Sequence, residues 1–311
     1  MNKKTWLYIS LSVLFVALMG IASVWDLDIA RAVASLVEGE YYSDNAFGVI
    51  FEVIGVAPIY IAVILACIVI FSEADTIKGS LFWKILTVIA GMVMGWYMYS
   101  TMVGYIGDHI GNSALNEGVV ANILLALAGV LTTGGLYLLS LKLDRSIKRK
   151  LLVWAFVVLF AAIIGKVLVE VIKGMAGRMR YRAMWVEGDY AGYTPWYEWV
   201  GKRKPTAEQV AMGMPSDIYK SFPSGHTSAA MMSIVFGLIP HALGVQKKST
   251  ISWVWILSIA FPVLVALSRM VVGAHFLSDV TIGALTTVVG YVVGLILSPI
   301  IVKALKKNNS E

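Results

Sequence analysis

The sequence has few charges and one cysteine, and each shortage excludes a class of protein. Only 14% of the 311 residues are charged and 59% are apolar, whereas an ordinary soluble domain has about a quarter charged and about 45–50% apolar residues. These proportions exclude intrinsic disorder and nearly exclude a water-soluble globular enzyme. With Cys67 as the only cysteine, the chain cannot form a disulfide framework, a thiolate zinc cluster or a CxxC redox pair. Its eight prolines form no repeated tract, which excludes fibrous and low-complexity proteins.

Apolar stretches long enough to cross a bilayer are what the sequence has instead. A hydrocarbon core about 30 Å thick needs roughly 20 apolar residues per helix. Eight such stretches are present, at residues 6–24, 47–71, 82–104, 119–141, 151–172, 224–245, 251–268 and 276–302. We therefore predict an all-α fold, a polytopic transmembrane helical bundle with about eight spans.

Basic residues predict how this bundle lies in the membrane. Eight spans place both termini on one side, and that side carries 14 of the 25 Lys and Arg residues. They are Lys3, Lys4, Lys78, Lys84, Lys142, Arg145, Lys148, Arg149, Lys150, Lys247, Lys248, Lys303, Lys306 and Lys307. Because short cytoplasmic loops carry an excess of Lys and Arg, we expect both termini of this multi-pass membrane protein in the cytoplasm. The net charge of +6 then reflects topology, and we expect no nucleic-acid partner.

One predicted outer segment is rich in basic residues, against this rule. Residues 173–220 carry Lys173, Arg178, Arg180, Arg182, Lys202, Arg203, Lys204 and Lys220. A loop of this length translocates with little regard to its charge. Alternatively, some of these cations face an anionic substrate outside the membrane. The clustering of three of them close to the membrane favours the second explanation.

Three short motifs lie at the same predicted outer boundary. They are Lys173 with Arg180 seven residues later, the run Pro223-Ser224-Gly225-His226, and Ser268-Arg269 followed by His275 and Asp279. Arg180 and Arg269 have planar guanidinium groups suited to phosphate oxygens, and Lys173 adds a point charge. Ser224 is predicted near the N-cap of a helix, where Gly225 allows an anion to approach the first backbone amides.

The same motifs contain groups for nucleophilic and acid–base chemistry. His275 and Asp279 are four residues apart and share one face if a helix begins at the histidine. Asp279 can then hold one ring nitrogen protonated and leave the other as a nucleophile or base. His226 is a second imidazole, available as acid and base, whereas His109 and His241 are interpreted as packed or interfacial residues. Together these groups are sufficient for phosphoryl transfer without a metal.

In combination, the three motifs resemble the signature of the type-2 phosphatidic acid phosphatase (PAP2) superfamily, which includes vanadium haloperoxidases and bacterial acid phosphatases. That signature is Lys-x6-Arg-Pro, then Pro-Ser-Gly-His, then Ser-Arg-x5-His-x3-Asp. The second and third motifs are complete here, and the first has Tyr181 where the family usually has proline. The resemblance covers residues 173–279, about a third of the chain.

The resemblance implies a role for each motif residue. His275 would attack phosphorus to form a phosphohistidine, with Asp279 orienting it. His226 would protonate the leaving oxygen and then activate the water that cleaves the intermediate. The residues implied to bind phosphate are Lys173, Arg180, Ser224, Gly225 and Arg269. No cofactor is expected.

The resemblance also divides the chain. Residues 151–311 correspond to a PAP2-like catalytic region in the C-terminal half, with an outer loop at 173–222, and residues 1–150 hold four spans without a motif. Membrane enzymes of the family usually have six helices, with the first motif after the third. Here it follows the fifth predicted span, so two of the first four spans look like an addition.

The function predicted from these features is that of an integral membrane phosphatase with an extracytoplasmic active site. It would remove the terminal phosphate from a lipid phosphate or polyprenyl diphosphate, such as undecaprenyl diphosphate, phosphatidic acid or phosphatidylglycerol phosphate. A phosphotransferase of the same superfamily is one alternative. An anion or lipid transporter with a basic outer vestibule is another, and a haloperoxidase is disfavoured. The expected partners are the lipid substrate and the bilayer, with no required protein partner.

Further residues near the motifs have two interpretations each. Lys166, Glu170 and Lys173 share one helical face, and Glu170 either orients Lys173 or neutralises Lys166 near the interface. Arg178 is a candidate for a supporting position beside the phosphate-binding residues. The outer loop is aromatic, and its rings form either an interfacial belt or a lid that admits lipid chains: Tyr181, Trp185, Tyr190, Tyr193, Trp196, Tyr197 and Trp199. The pairs Gly91 with Gly95 and Gly290 with Gly294 predict close helix packing inside the chain.

Overall fold

The computed structural model describes residues 3–306, and every regular element within them is helical. In chain order the α-helices are α1 (Lys3–Val33), α2 (Ala46–Gly55), α3 (Ala57–Glu73), α4 (Ser80–Ile110), α5 (Val119–Ser140), α6 (Arg145–Ala176), α7 (Tyr181–Glu187), α8 (Ala207–Ala211), α9 (Gly225–Met231), α10 (Ile239–Leu243), α11 (Lys248–Val271) and α12 (Leu277–Leu305). Short 3₁₀ segments lie at Ala74–Thr76, Ser113–Leu115 and Met232–Leu238. The all-α prediction is confirmed.

Eight helical segments of the described chain are long and apolar enough to cross a membrane, as predicted. They are Ile9–Val33, Ala46–Thr76, Ser80–Ile110, Val119–Ser140, Arg145–Glu187, Gly225–Leu243, Lys248–Val271 and Leu277–Leu305. The first continues to Val33, beyond the apolar stretch of residues 6–24 from which this span was predicted. Asp26 and Asp28 end the apolar run there without ending the helix. Of the basic residues used to predict the topology, Lys307 lies outside the described residues.

Two of the spans are interrupted, and proline accompanies both interruptions. α2 ends at Gly55, and α3 begins with Pro58 in its first turn. In the sixth span, the 3₁₀ segment separates α9 from α10, which has Pro240 in its first turn. Proline cannot continue a helix without losing a backbone hydrogen bond, but its fixed φ suits the start of a new one.

The chain folds into two compact units, each built from three sequence segments. The first comprises Met1–Phe51, Val167–Ser228 and Leu264–Leu285, and it contains all three motifs. Its core is a cluster of apolar and aromatic side chains from Ala30, Tyr41, Met179, Tyr181, Ala183, Met184, Met214, Ile218, Tyr219 and Phe276. Segments of the two units alternate along the sequence. The predicted division at residue 150 separated the spans without a motif from the region that carries the motifs, and it stays a prediction.

The second unit comprises Glu52–Lys166, Ala229–Val263 and Thr286–Glu311. Its helices α4 and α5 approach closely, because a Cβ on Gly95 would lie 2.6 Å from the Gly129 carbonyl oxygen and one on Gly129 would lie 2.4 Å from the Trp96 backbone nitrogen. On α12, Cβ atoms added to Gly290 and Gly294 would lie 2.8 Å and 3.0 Å from backbone atoms of α6. The predicted packing of small residues inside the chain is confirmed.

Candidate active site

Backbone hydrogen bonds connect the first motif to two other segments. One segment precedes the second motif, and the other lies within the third motif. Arg180 donates its N–H to the carbonyl oxygen of Ile218 at 2.8 Å. Two residues later, Arg182 donates to the carbonyl oxygen of Gly273 at 2.8 Å. Gly273 has φ of +62°, a left-handed conformation that glycine adopts without strain. The three motifs, which are far apart in sequence, therefore meet in one place.

Tyr181 takes the position where the family usually has proline, and the structure shows why it is tolerated. Arg180 is the extended N-cap residue of α7, so Tyr181 is the first helical residue. Proline is favoured there because its φ suits the first turn and the N–H at that position has no intrahelical acceptor. The Tyr181 ring instead stacks on Tyr190 and meets Phe276 edge to face, at centroid distances of 5.8 Å and 6.3 Å. Packing fixes the turn that proline fixes elsewhere.

His275 is buried, and its hydrogen bond fixes the tautomer of the ring. Its Nδ1 lies 2.7 Å from the carbonyl oxygen of Ser221 and 3.6 Å from Asp279 Oδ2. A carbonyl oxygen only accepts, so Nδ1 carries the proton and Nε2 keeps its lone pair. The sequence predicted that Asp279 would accept this hydrogen bond, but the acceptor is the Ser221 backbone. A backbone acceptor has no side-chain signature, so sequence reasoning missed it.

The charge state of His275 follows from its surroundings. Burial lowers its pKa to about 3, and the cations Arg180 and Arg269 act in the same direction, against the opposing effect of Asp279. The ring is therefore neutral at physiological pH, with Nε2 unprotonated. A neutral imidazole with a fixed tautomer has the form required of a nucleophile.

Asp279 lies beside this ring in a fully hydrogen-bonded setting. Its Oδ2 accepts from the Phe276 N–H at 2.9 Å and from the Ser221 hydroxyl. Its Oδ1 accepts from Arg178 Nη1 at 2.7 Å. The Arg178 Nη2 donates at 2.9 Å to Asp26 on α1, and both carboxylates are at most 1% exposed. Asp26 was not among the predicted site residues.

Arg178 is directed away from the other basic residues and toward this acidic pair. Its Nη1 also donates to the Ser278 hydroxyl at 2.7 Å, and its Nε donates to the Thr194 carbonyl oxygen at 2.8 Å. The guanidinium carbon lies 4.0 Å from the centroid of the Phe276 ring. This arrangement fits the supporting position considered for Arg178, behind Asp279.

Two of the predicted phosphate-binding cations, Lys173 and Arg180, lie near the carboxylate of Asp217 together with Arg182 and Lys220. Arg180 Nη2 lies 2.5 Å from Asp217 Oδ2. Burial would raise the pKa of Asp217, but Arg180, Arg182, Lys173 and Lys220 outweigh burial and hold the pKa below its ordinary value. Four cations thus create a positive field near the C-terminal end of α6, which favours anions.

The second motif lies next to Lys173 at its glycine. A Cβ added to Gly225 would lie 3.3 Å from Lys173 Nζ. Ser224 Oγ accepts from the N–H of Thr227 at 3.3 Å and from its hydroxyl at 3.1 Å. Ser224 therefore has the predicted N-cap position on α9. These two bonds use the oxygen as an acceptor and leave its own hydrogen available as a donor.

The remaining predicted residues are Arg269, His226 and Glu170. Arg269 is fully buried, and its carbonyl oxygen accepts from the His275 N–H at 3.3 Å. His226 is half-buried and follows Gly225 at the start of α9. Glu170 is exposed on α6, one turn before Lys173, so its proposed influence on Lys173 stays a prediction.

Of the seven aromatic residues singled out in the loop at 173–222, six divide into two groups, and Trp196 is half-buried. Tyr181, Tyr190 and Tyr193 pack inward around Phe276, with centroid distances of 5.5–6.3 Å between neighbouring rings. Exposed rings face outward from the same loop: Trp185, Tyr197 and Trp199. Only the second group is placed to form the predicted belt or lid.

Comparison with known families decides between the classes of protein that this geometry permits. Residues 154–306 match the profile of the PAP2 superfamily. Over this region the chain belongs to the PAP2 superfamily. The match covers the second half of the described chain and includes all three motifs, so this PAP2 protein combines them with four earlier spans. Comparisons with curated proteins and with solved structures found no match.

Proposed function

We propose that this PAP2 protein is a lipid phosphatase that works through a phosphohistidine. PAP2 membership suggests phosphatase-type activity in a membrane protein. The observation that carries the proposal is the neutral His275, whose Nε2 keeps its lone pair next to cations. A nucleophile beside a cationic clamp is the arrangement that phosphoryl transfer requires.

The proposed reaction has two steps. The Nε2 lone pair of His275 forms a bond to phosphorus, the bond from phosphorus to the leaving oxygen breaks, and His226 gives that oxygen a proton. His275 then carries a phosphoryl group and a positive charge. The carboxylate of Asp279, 3.6 Å from Nδ1, stabilises that charge. His226 next takes a proton from water, the water oxygen attacks phosphorus, and His275 is released.

Five residues would hold the phosphate during both steps. Arg180 and Arg269 would bind its oxygens as planar forks, and Lys173 would add a point charge. Ser224 would donate its hydroxyl hydrogen, and Gly225 leaves room for a phosphate oxygen near the helix start. A fixed set of donors stabilises charge that develops in the transition state.

The substrate we propose is a lipid phosphate or a polyprenyl diphosphate that loses its terminal phosphate. Phosphatidic acid, phosphatidylglycerol phosphate and undecaprenyl diphosphate belong to this class. A substrate dissolved in the bilayer fits a chain with eight candidate spans. The decisive experiment measures phosphate release by the purified protein from a panel of such lipids, and absence of release from all of them would overturn the proposal.

The alternatives leave different traces in the same assay. A phosphotransferase would form a phosphorylated alcohol when an acceptor alcohol is supplied. It would release free phosphate only when that acceptor is absent. A transporter would release no phosphate. We also expect activity to survive EDTA and to be inhibited by vanadate, whereas strict dependence on Mg²⁺ would contradict the proposed mechanism.

We further propose that both termini lie in the cytoplasm and the active site lies on the extracytoplasmic face. The distribution of basic residues along the spans supports this orientation. Single cysteines at two exposed loop positions, Glu198→Cys and Asp144→Cys, test it with a membrane-impermeant thiol reagent on intact cells. We expect labelling at 198 and protection at 144, since Cys67 is buried; the reverse pattern would invert the topology.

A further inference from the structure

Asp26 brings a buried carboxylate from α1 to the site, although α1 lies outside residues 154–306. Its Oδ2 accepts from Arg178 Nη2 at 2.9 Å, and its Oδ1 accepts from the Ser278 N–H at 3.1 Å. The Ser278 hydroxyl also donates to Oδ2. The Asp26 carboxylate thus accepts three hydrogen bonds, one of them from a guanidinium.

Arg178 connects this carboxylate to the one beside the proposed nucleophile. One guanidinium nitrogen donates to Asp279 at 2.7 Å and the other to Asp26. All three side chains are at most 1% exposed, so water screens their charges little. With both carboxylates ionised, this cluster of two carboxylates and one guanidinium carries a net charge of −1 beside His275.

We propose that Asp26 is a positioning residue for the reaction, a role that rests on the proposed function. It offsets the charge of Arg178, so that the negative charge of Asp279 is available to the imidazolium of phosphorylated His275. Without Asp26, Arg178 alone would neutralise Asp279, and the positive charge formed on the ring would have no counter-charge. The first helix would thus complete an electrostatic arrangement that the three motifs leave incomplete.

A purely structural role for Asp26 predicts a different result. If Asp26 only fixed α1 in place, its replacement would loosen the site and weaken every ligand alike. The electrostatic role predicts a loss confined to states in which His275 forms a bond through Nε2 and gains positive charge. The two roles are therefore separable by ligands that differ in this respect.

Orthovanadate and inorganic phosphate are such ligands. Vanadate accepts a fifth bond from an imidazole nitrogen and mimics the transition state, whereas phosphate mimics the ground state. Calorimetric titration of the full-length protein in detergent would give both dissociation constants. We expect Asp26→Asn to weaken vanadate binding by about 10- to 100-fold and phosphate binding by less than about 3-fold.

Asp28 provides a matched control on the same helix. Its side chain is 64% exposed and pairs with Arg31, which is also exposed. Asp28→Asn removes the same charge two residues away and should leave both dissociation constants unchanged. Equal weakening of vanadate and phosphate by Asp26→Asn, or no effect on either, would overturn the role of Asp26.

A double variant tests the charge balance directly. Arg178→Gln combined with Asp26→Asn removes one charge of each sign and restores the net charge of −1 on Asp279. We expect it to recover about 10-fold in vanadate affinity relative to Asp26→Asn alone. A structural role predicts a further loss instead, because two more buried hydrogen bonds are removed.

Ser278→Ala keeps the test decisive if Asp26→Asn does not fold. This variant retains the Asp26 charge but removes one of its hydrogen bonds, and we expect vanadate binding to weaken by about 2- to 10-fold with phosphate binding unchanged. Unchanged binding of both ligands would overturn the inference. If the unsubstituted protein binds neither vanadate nor phosphate, the proposed function itself fails, and that outcome is distinct from the others.

Discussion

The two compact units differ in whether the cations that face their buried carboxylates are themselves buried. In the unit with the motifs, Asp26, Arg178 and Asp279 are each at most 1% exposed, and one guanidinium bridges both carboxylates. In the other unit Glu73 is also fully buried, and its carboxylate oxygens lie 3.5 Å from Arg145 Nε and 3.8 Å from Arg149 Nε. The side chains of these two arginines are 62% and 63% exposed. A pair with its cation in water is screened and weak, whereas a closed network depends on every member. The motif-containing unit therefore has a closed network of buried charge, whereas the cations that face Glu73 in the other unit remain in contact with solvent.

Replacing one histidine in each unit should give the largest contrast. His275→Ala removes the proposed nucleophile, and phosphate release should fall by at least about 10⁴-fold while the protein stays inserted and folded. The control is His109→Gln, since His109 Nε2 lies 2.9 Å from Glu52 in the other unit. It should retain turnover per folded molecule. Undiminished release by His275→Ala would remove the basis of the mechanism.

The pH dependence should show the second-largest effect. Because the pKa of His275 is lowered to about 3, its Nε2 stays unprotonated between pH 7 and pH 5. An ordinary histidine with a pKa near 6.5 would lose roughly 30-fold of its neutral form at pH 5. We expect the rate of phosphoenzyme formation, measured by rapid quench with labelled substrate, to lack this loss. A decline centred near pH 6.5 that follows His275 would contradict the assignment.

Helix packing in the second unit should affect stability without affecting chemistry. Gly129→Ala places a Cβ 2.4 Å from the backbone nitrogen of Trp96 on α4, and such overpacking costs about 1–3 kcal/mol. Gly134→Ala on the same helix is the control, because a Cβ there meets nothing within 4 Å. Thermal unfolding in detergent should show a lower midpoint for the first variant only. Loss of turnover in the folded fraction would show that these helices do affect the site.

The smallest effect should come from the weak charge pair. Glu73→Gln removes the anion opposite Arg145 and Arg149, and the unfolding free energy should change by less than about 1 kcal/mol. Turnover should stay within the error of the phosphate-release assay. A weakening of vanadate binding by Glu73→Gln as large as that expected for Asp26→Asn would contradict the contrast between the two sets of buried charges.

Local patterns in the sequence predicted much of the molecule. Eight candidate spans follow from long apolar runs. The three motifs were visible because each is a short local string, and the fold brings their backbones together. Tyr181 was a departure whose outcome depended on packing against Tyr190 and Phe276, and packing partners distant in sequence are not visible in a motif.

Other parts of the site had no local signature. Asp26 is a single acid at the end of an apolar run, and 152 residues separate it from Arg178. An ionisable residue at such a place was a signal, since charged groups within spans tend to be functional. Ser221 acts through its backbone carbonyl, which any residue type has, and only the folded chain brings it to His275.

The distance in sequence between Asp26 and its partners has a consequence for biogenesis. A chain is synthesised from its N-terminus, so α1 leaves the ribosome long before Arg178 and Ser278 exist. Until residue 279 has been made and delivered to the membrane, the carboxylate of Asp26 has only water or lipid headgroups as partners. The charge network can therefore close only late in assembly, and a ribosome stalled between α1 and α12 leaves a protein with spans but no site.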